Sequence, residues 1–469
     1  MSKKVYPILC VLMVFAFVLS ACAPAATTEA PTQPPAPTQP PAPTQPPAAT
    51  DTPAAAVATQ PPAATNTPAA AATAAPTATT VPTATVTLSA NQTRITIWHQ
   101  WDGAYLDAIN AAFNDYMTAH PNVRIDLAKP NDVSNALKVA VPAGAGPDII
   151  GWANDQIGNQ ALVGNIVALD DYGITQDFLK STYAGPAVNG VVYQGKIWAL
   201  PESVEAIALV YNKALVTDKY LPKDRNDFAG LLAAATQFQK DNPGKTLVCN
   251  QGFPGGDAYH IAPVFFGFGV PTYIDETGKV YLNTPEATKA MQWLTQIAKV
   301  SDKEQTYDIC NAGFKEGKYG MWWTGPWAIK TIEDEKIDYG IFPMGKPFVG
   351  IKTLMLSKNA VDRGNEKIAI DIMKYFTSAD VQKKIVQTNK TIPAPTAALS
   401  DPNVAKLYSV VGFGSAVAVG VPMSSSPYAS AQWTPVGDTV KAIWTGAQAP
   451  DAALAAGQKL IEDAISQMK

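Results

Sequence analysis

The chain has 469 residues, with 35 basic against 39 acidic side chains and a formal net charge of −4. Mild acidity without a cluster of lysines and arginines argues against nucleic acid as a partner. Its three histidines (His99, His120, His260) have no second histidine or cysteine at ligand spacing, so neither a metal nor any other cofactor is expected.

The N-terminus, "MSKKVYPILCVLMVFAFVLSAC", opens with Lys3 and Lys4 and continues as an apolar run. That pattern predicts an export signal over 1–21, too short and wrongly flanked for a stable membrane span. Its end, Leu19-Ser20-Ala21-Cys22, resembles the lipobox of bacterial lipoproteins. The resemblance implies cleavage before Cys22, acylation there, and an extracytoplasmic chain held to the cell membrane by lipid. Removing the two signal lysines leaves 33 basic residues against 39 acids, a formal −6. Residues 22–93 are almost all Ala, Pro, Thr and Gln, with Glu29 and Asp51 the only charges. Nothing there has an apolar face to bury, so a disordered linker is expected, reaching ~200 Å if fully extended at ~3.1 Å per residue. Of the four cysteines, Cys10 leaves with the signal and Cys22 takes lipid. Cys249 and Cys310 remain, either as a disulfide or as two buried thiols.

The remaining body is too long for one ordinary core and predicts two domains. "RITIWHQW" alternates as a strand, and 104–121 carries Leu106, Ile109, Phe113, Tyr116 and Met117 at helical spacing before a proline. "NVRIDLA" predicts a strand, "DVSNALKVAVPAG" a short helix and "PDIIGWA" a buried strand. This alternation predicts an α/β domain with a mostly parallel sheet. Further helices are expected over 226–240, 285–300, 363–377, 379–388 and 452–469, with Thr284 capping the second. "MWWTGPWAI" sets three tryptophans within six positions; on a strand they cannot all face one way. Catalytic signatures are scarce. Gln239 replaces the first glycine of a P-loop before Gly244-Lys245-Thr246, no G-x-S-x-G occurs, and no enzyme is expected.

Five segments in order resemble the maltose/maltodextrin-binding branch of the family 1 solute-binding proteins of ABC transporters. They are "GPDIIGWANDQIGNQALVGNIVALD", "LPESVEAIALVYNKALV", "FKEGKYGMWWTGPWAI", "DYGIFPMGKPFVG" and "QWTPVGDTVKAIWTG". The resemblance implies a type II two-lobed binding-protein fold, each lobe a mixed sheet flanked by helices, with the ligand cleft between them. Lobes of 94–203 plus 351–405 and 208–347 plus 407–469 follow, with crossings near 204–208, 348–352 and 403–408. It further implies a monomer that closes on solute by a hinge motion and is recognised by permease subunits. The expected solute is an oligosaccharide of the maltose or maltodextrin type. Trehalose, another disaccharide or a glycerol-phosphate compound in the same fold, a secreted glycosidase and a stalked lectin stay open.

Sugar recognition needs flat rings over the C–H face of a pyranose and carboxylates or amides at its hydroxyl rim. By resemblance, Trp152 and Asp155 supply a wall and an acceptor past a strand's C-terminal edge, where open α/β sheets bind ligands. Gln156 stands in place of the family's arginine. Glu205 contacts solute from the first crossing, and a carboxylate between Val204 and Ala206 is costly to bury without a role. Trp327, on the Gly325-Pro326 turn, and Trp433 match stacking tryptophans, while Trp322 and Trp323 are expected to divide between strand core and cleft edge. Near Trp433 the pattern departs, with Thr434 where an aromatic and Gly437 where an arginine is found. Tyr259 and Asp257 match another aromatic and acid, provided "GFPGGDAYH" is an insertion. "WHQWDG" replaces the family's first-strand run, making Trp101 and Asp102 candidates. The missing arginines count against a phosphate-bearing ligand.

Overall fold

A computed structural model of the chain describes residues 92–131 and 133–468. The export signal, Cys22 and the linker up to residue 91 lie outside the described residues. In chain order the strands are β1 (Thr93–His99), β2 (Val123–Ala128), β3 (Ile149–Ala153), β4 (Val192–Tyr193), β5 (Lys196–Ile197), β6 (Ala199–Glu205) and β7 (Ala208–Asn212). They continue with β8 (Thr246–Cys249), β9 (Tyr319–Thr324), β10 (Tyr339–Phe342), β11 (Phe348–Leu356), β12 (Ile392–Pro393) and β13 (Val421–Pro422).

Two principal sheets result. The first runs β12-β6-β11-β3-β1-β2, with β13 beside β11; the second runs β10-β7-β9-β8. In the first sheet β1 pairs in parallel with β2 and β3. The helices Gly103–Ala119 and Val133–Ala140 supply the crossovers that parallel pairing requires. The first of them buries Ile109, Phe113 and Tyr116, three of the five residues read as its apolar stripe. The expectation of a mostly parallel sheet is corrected, because β11 pairs antiparallel with both β3 and β6. β6 and β11 are the strands that leave and re-enter this sheet, so they are not links in a repeating strand–helix unit. In the second sheet only β8 and β9 are parallel. The helix Pro285–Ile297 starts as predicted, Thr284 Oγ1 accepting from Ala287 N at 3.2 Å.

β6 passes through Ala206 and Ile207 into β7, and β11 returns from the second sheet beside it, with Gly350 opposite Glu205. These two paired strands form the waist between the sheets. β9 is buried along its whole length. Trp322 and Trp323 are both fully buried and point to opposite faces of it. Trp322 meets Tyr307 and Phe314, and Trp323 meets Phe253. Neither lies at a cleft edge, which corrects that expectation: packed side chains cover both faces of β9. Cys249, ending β8, is bonded to Cys310 of the helix Tyr307–Lys315, with Cα atoms 5.6 Å apart. Among the described residues no helix is long and apolar enough to cross a membrane, and no cluster of His, Cys, Asp or Glu could hold a metal.

Candidate functional site

The C-terminal ends of β1 and β3 point at the waist, and a cavity of about 360 Å³ opens there. From the first lobe it receives Gln100, just past β1, Trp152 on β3, and Asp155 and Gln156 on the turn Asn154–Gln156. Glu205 ends β6, and Ile351 and Lys352 sit on β11. From the second lobe come Tyr259 on the helix Ala258–Gly267, Trp327 on the turn Pro326–Ala328, and Trp433 opening the helix Trp433–Trp444. Seven residues singled out in the sequence therefore meet in one cavity: Trp152, Asp155, Gln156, Glu205, Tyr259, Trp327 and Trp433.

The rings are held from behind. Tyr259 lies against Trp327 at 6.4 Å between centroids and parallel to Phe348 at 6.3 Å, while Phe348 meets Trp433 edge-on at 5.9 Å. Trp327 folds back over its own turn. A Cβ at position 325 would sit 2.2 Å from its indole, so the G-P-W sequence needs glycine to let that ring lie where it does.

The polar groups are buried and only partly used. Asp155 is 4% exposed and accepts from Trp433 Nε1 at 2.9 Å, so an acid of one lobe orients an indole of the other. Gln156 Nε2 donates to the same oxygen at 2.9 Å. Burial raises the Asp155 carboxyl above its usual range, against the pull of those donors and of Lys352. Burial also raises Glu205; Lys352 Nζ, 3.8 Å from its Oε2, opposes the shift. Glu205 Oε1 has no hydrogen-bond partner. The Gln100 amide, oriented by its neighbours, accepts from Ala153 N at 3.2 Å and from Lys352 Nζ at 3.1 Å. Behind the waist, fully buried Glu202 accepts from the Tyr105 hydroxyl. Burial pushes its carboxyl up to about 7 despite that bond, and its Oε2 has no partner. Flat rings on several sides and half-satisfied acceptors between them suit a neutral molecule rich in hydroxyls and with apolar faces. No histidine, cysteine or serine lines the cavity, so it holds no Ser–His or Cys–His nucleophile.

Three expected site residues lie outside the aromatic cavity, two of them, Trp101 and Asp102, lining the adjoining cavity of about 460 Å³ that shares Gln100, Glu205, Trp327 and Lys352 with it. Trp101 is 2% exposed, stacked on His99 at 5.0 Å and packed on Phe113 and Phe376, because it continues the inward parity of Ile95, Ile97 and His99. Asp102 is exposed and paired with Lys129, outside the aromatic cavity. Asp257 caps the helix Ala258–Gly267 by accepting from His260 N at 3.0 Å, and binds Gln251 Nε2 at 2.8 Å and His260 Nδ1 at 2.8 Å. Burial alone would raise it, but the His260 ring and these donors hold it well below the usual carboxylate range. Its acceptor capacity is spent on structure. Gln100, Lys352 and Met423 line the cavity without having been singled out, and Glu202 stands behind it. Lys352 places a cation in the cleft, which the missing arginines did not suggest, but it is tied to Glu205 and Gln100. The "GFPGGDAYH" segment packs where the expected arginine would stand. Gly256 N donates to Gly437 O at 3.2 Å, and a Cβ on Gly437 would come within 3.0 Å of the Gly256 backbone.

Residues 111–409 match the family model described as bacterial extracellular solute-binding protein. The chain is similar to a maltotriose-binding protein of Pyrococcus abyssi, 29% identical over 357 residues, 72% of this chain and 75% of that one. It is also similar to a galactooligosaccharide-binding protein of Bacillus subtilis, 25% identical over 68% of this chain and 77% of that one. Among solved structures, the maltose/maltodextrin-binding domain from Bdellovibrio bacteriovorus bound to maltotriose superposes with a TM-score of 0.71 at 23% identity, covering 80% of this chain and all of that one. The two mixed sheets, the waist between them and the matched family model agree: the chain belongs to the bacterial extracellular solute-binding proteins.

Proposed function

We propose that this protein captures an α-glucosidic oligosaccharide outside the cytoplasm and presents it to the permease of an ABC importer. The observation that carries the reading is the joint lining of one cavity by Trp152, Tyr259, Trp327 and Trp433 with Asp155, Gln156 and Glu205, drawn from both lobes. The rings cover pyranose faces and exclude water, and the acids and amide accept from and donate to ring hydroxyls. The lobes, 94–203 with 351–405 and 208–347 with 407–469, close on the sugar about the β6 and β11 strands. The protein works as a monomer, anchored by lipid on Cys22 and spaced from the membrane by the proline-rich linker. Similarity to the maltotriose binder favours α-glucosides over the galactosides suggested by the second relative. A glycerol-phosphate ligand is disfavoured, since Lys352 is flanked by Glu205 and Gln100 and Asp155 lines the same space.

Titrating intrinsic tryptophan fluorescence of the full chain tests the reading. Maltodextrins are expected to give a saturable change, because three of the chain's ten tryptophans line the cavity. A response to another solute class alone would discard the ligand, and silence toward every solute would discard the role.

A further inference from the structure

β3 ends at Ala153, opposite Lys352 of β11, and the next residue takes up the pairing with its side chain. Asn154 Oδ1 accepts from Ile351 N of β11 at 2.9 Å. Asn154 Nδ2 donates to Met423 O at 2.9 Å and to Ser425 Oγ at 3.1 Å, and Ser425 Oγ donates in turn to Gly190 O at 2.9 Å. The amide is fully buried and can sit one way only, because Ile351 N can only donate and Met423 O only accept. One side chain thus ties together the turn after β3, a strand of the waist and the stretch 423–425.

That stretch leads to Trp433. Pro427 packs on the backbone of Gly158, where a Cβ would come within 2.3 Å of the proline nitrogen. The turn Pro427–Ala431 follows, then the helix Trp433–Trp444, which buries Val436, Val440 and Ile443 in the core of the second lobe. Packing of that helix does not by itself bring its first indole to the other lobe; the bond from Trp433 Nε1 to Asp155 does. The segment 423–433 is therefore held at its start by Asn154 and at its end by Asp155, neighbours on one turn. Asn154 lies outside the aromatic cavity that Asp155 and Trp433 line. A hydrogen bond weakens steeply with drift in length and angle, so the first grip sets how well the second is made.

We infer that Asn154 is a positioning residue for the sugar cavity: by pinning 423–425 to the waist, it sets where the Trp433 ring stands against Asp155 and hence against solute. The consequence for affinity rests on the oligosaccharide reading. The placement of the ring does not, and it can be read with no sugar present.

Nitrogen–proton correlation spectra of the full chain, labelled at tryptophan, test this, the Trp433 indole signal being the one that Trp433→Phe removes from the ten. Asn154→Leu keeps the volume and loses all three bonds, and Ser425→Ala loses only the outer anchor. Both should move the Trp433 indole signal more than any other in sugar-free protein. Maltotriose affinity by calorimetry should fall roughly tenfold in Asn154→Leu and about threefold in Ser425→Ala, the worth of one or two hydrogen bonds. A purely structural amide would lower Tm and leave that signal in place. An unmoved signal in the variants that fold, or a moved one with affinity unchanged, overturns the positioning role and leaves the sugar reading standing. Failure of the wild type to bind any maltodextrin discards the sugar reading, while the indole shift still decides the placement.

Discussion

Glu202 offers the sharpest test of the waist's electrostatics. It is fully buried on β6, receives one hydrogen bond from Tyr105 and leaves its Oε2 unpartnered. Burial moves its midpoint from an ordinary 4.5 to about 7. Below pH 4.5 the carboxyl is neutral in both folded and unfolded chains. Between 4.5 and about 7 the folded chain keeps the proton and the unfolded chain has lost it, so stability falls as pH rises through that window. At about 1.4 kcal/mol per pH unit, the loss is about 3 kcal/mol, complete above pH 7. Glu202→Gln stays neutral at every pH while keeping an acceptor for Tyr105. Its stability relative to wild type should therefore climb from near zero at pH 4.5 to about 3 kcal/mol at pH 8. Paired urea titrations at pH 4.5, 5.5, 6.5 and 8 read this, because Asp155 contributes to both chains and cancels in the difference, while Glu205, whose charge adds to the Glu202 shift, leaves only a smaller remainder behind burial, the largest cause. A difference flat with pH, or one that falls as pH rises, would refute the buried-carboxyl account.

Trp327→Ala removes a ring of the aromatic cavity and should weaken binding of the best maltodextrin by about 2 kcal/mol, roughly thirtyfold in Kd; wild-type affinity would end the stacking assignment. Gly437→Ala pushes a methyl to within 3.0 Å of the Gly256 backbone, and a loss of ~1–3 kcal/mol should appear as a lowered Tm. Replacing Cys249 and Cys310 together by serine opens a link spanning 61 residues, and the denaturation midpoint should drop by the equivalent of about 4 kcal/mol. Equal stability of the two chains would show that the bond adds nothing. Cys22→Ser should move the protein from the membrane fraction of cells to the soluble fraction, and a chain still held in membranes would exclude lipid on Cys22 as its anchor.

The sequence was most legible where a residue's chemistry and its place on an element pointed the same way. Trp152 and Asp155 follow a buried strand, Trp327 follows a glycine-proline turn, and Trp433 opens an amphipathic helix; all four reached the cavity. It was incomplete where residue type outweighed parity. After β1 the attractive residues were an aromatic and an acid, Trp101 and Asp102, yet the inward positions are Ile95, Ile97, His99 and therefore Trp101. Gln100 is on the other parity and reaches Lys352 and the aromatic cavity, while Trp101 and Asp102 line only the adjoining one. Counting alternation two residues past the strand would have found it. The role of Asp257 had no such local signal. An acid before a helix reads equally as a cap or a ligand, and only its bonds from His260 N and Gln251 Nε2 show that Asp257 is the former.

Taken together, these cases separate two kinds of polar burial at the waist. Asp257 has its oxygens filled by protein donors, which fixes the start of a helix and leaves nothing for solute. Glu205 keeps one oxygen idle and Asn389 its whole side-chain amide, both at the cavity walls. Groups buried without a protein partner add nothing to folding through hydrogen bonding within the chain. A sugar with complementary hydroxyls would supply those partners on entering. Binding energy from those new hydrogen bonds would then be available to hold the lobes together around the ligand, as the proposed closure requires.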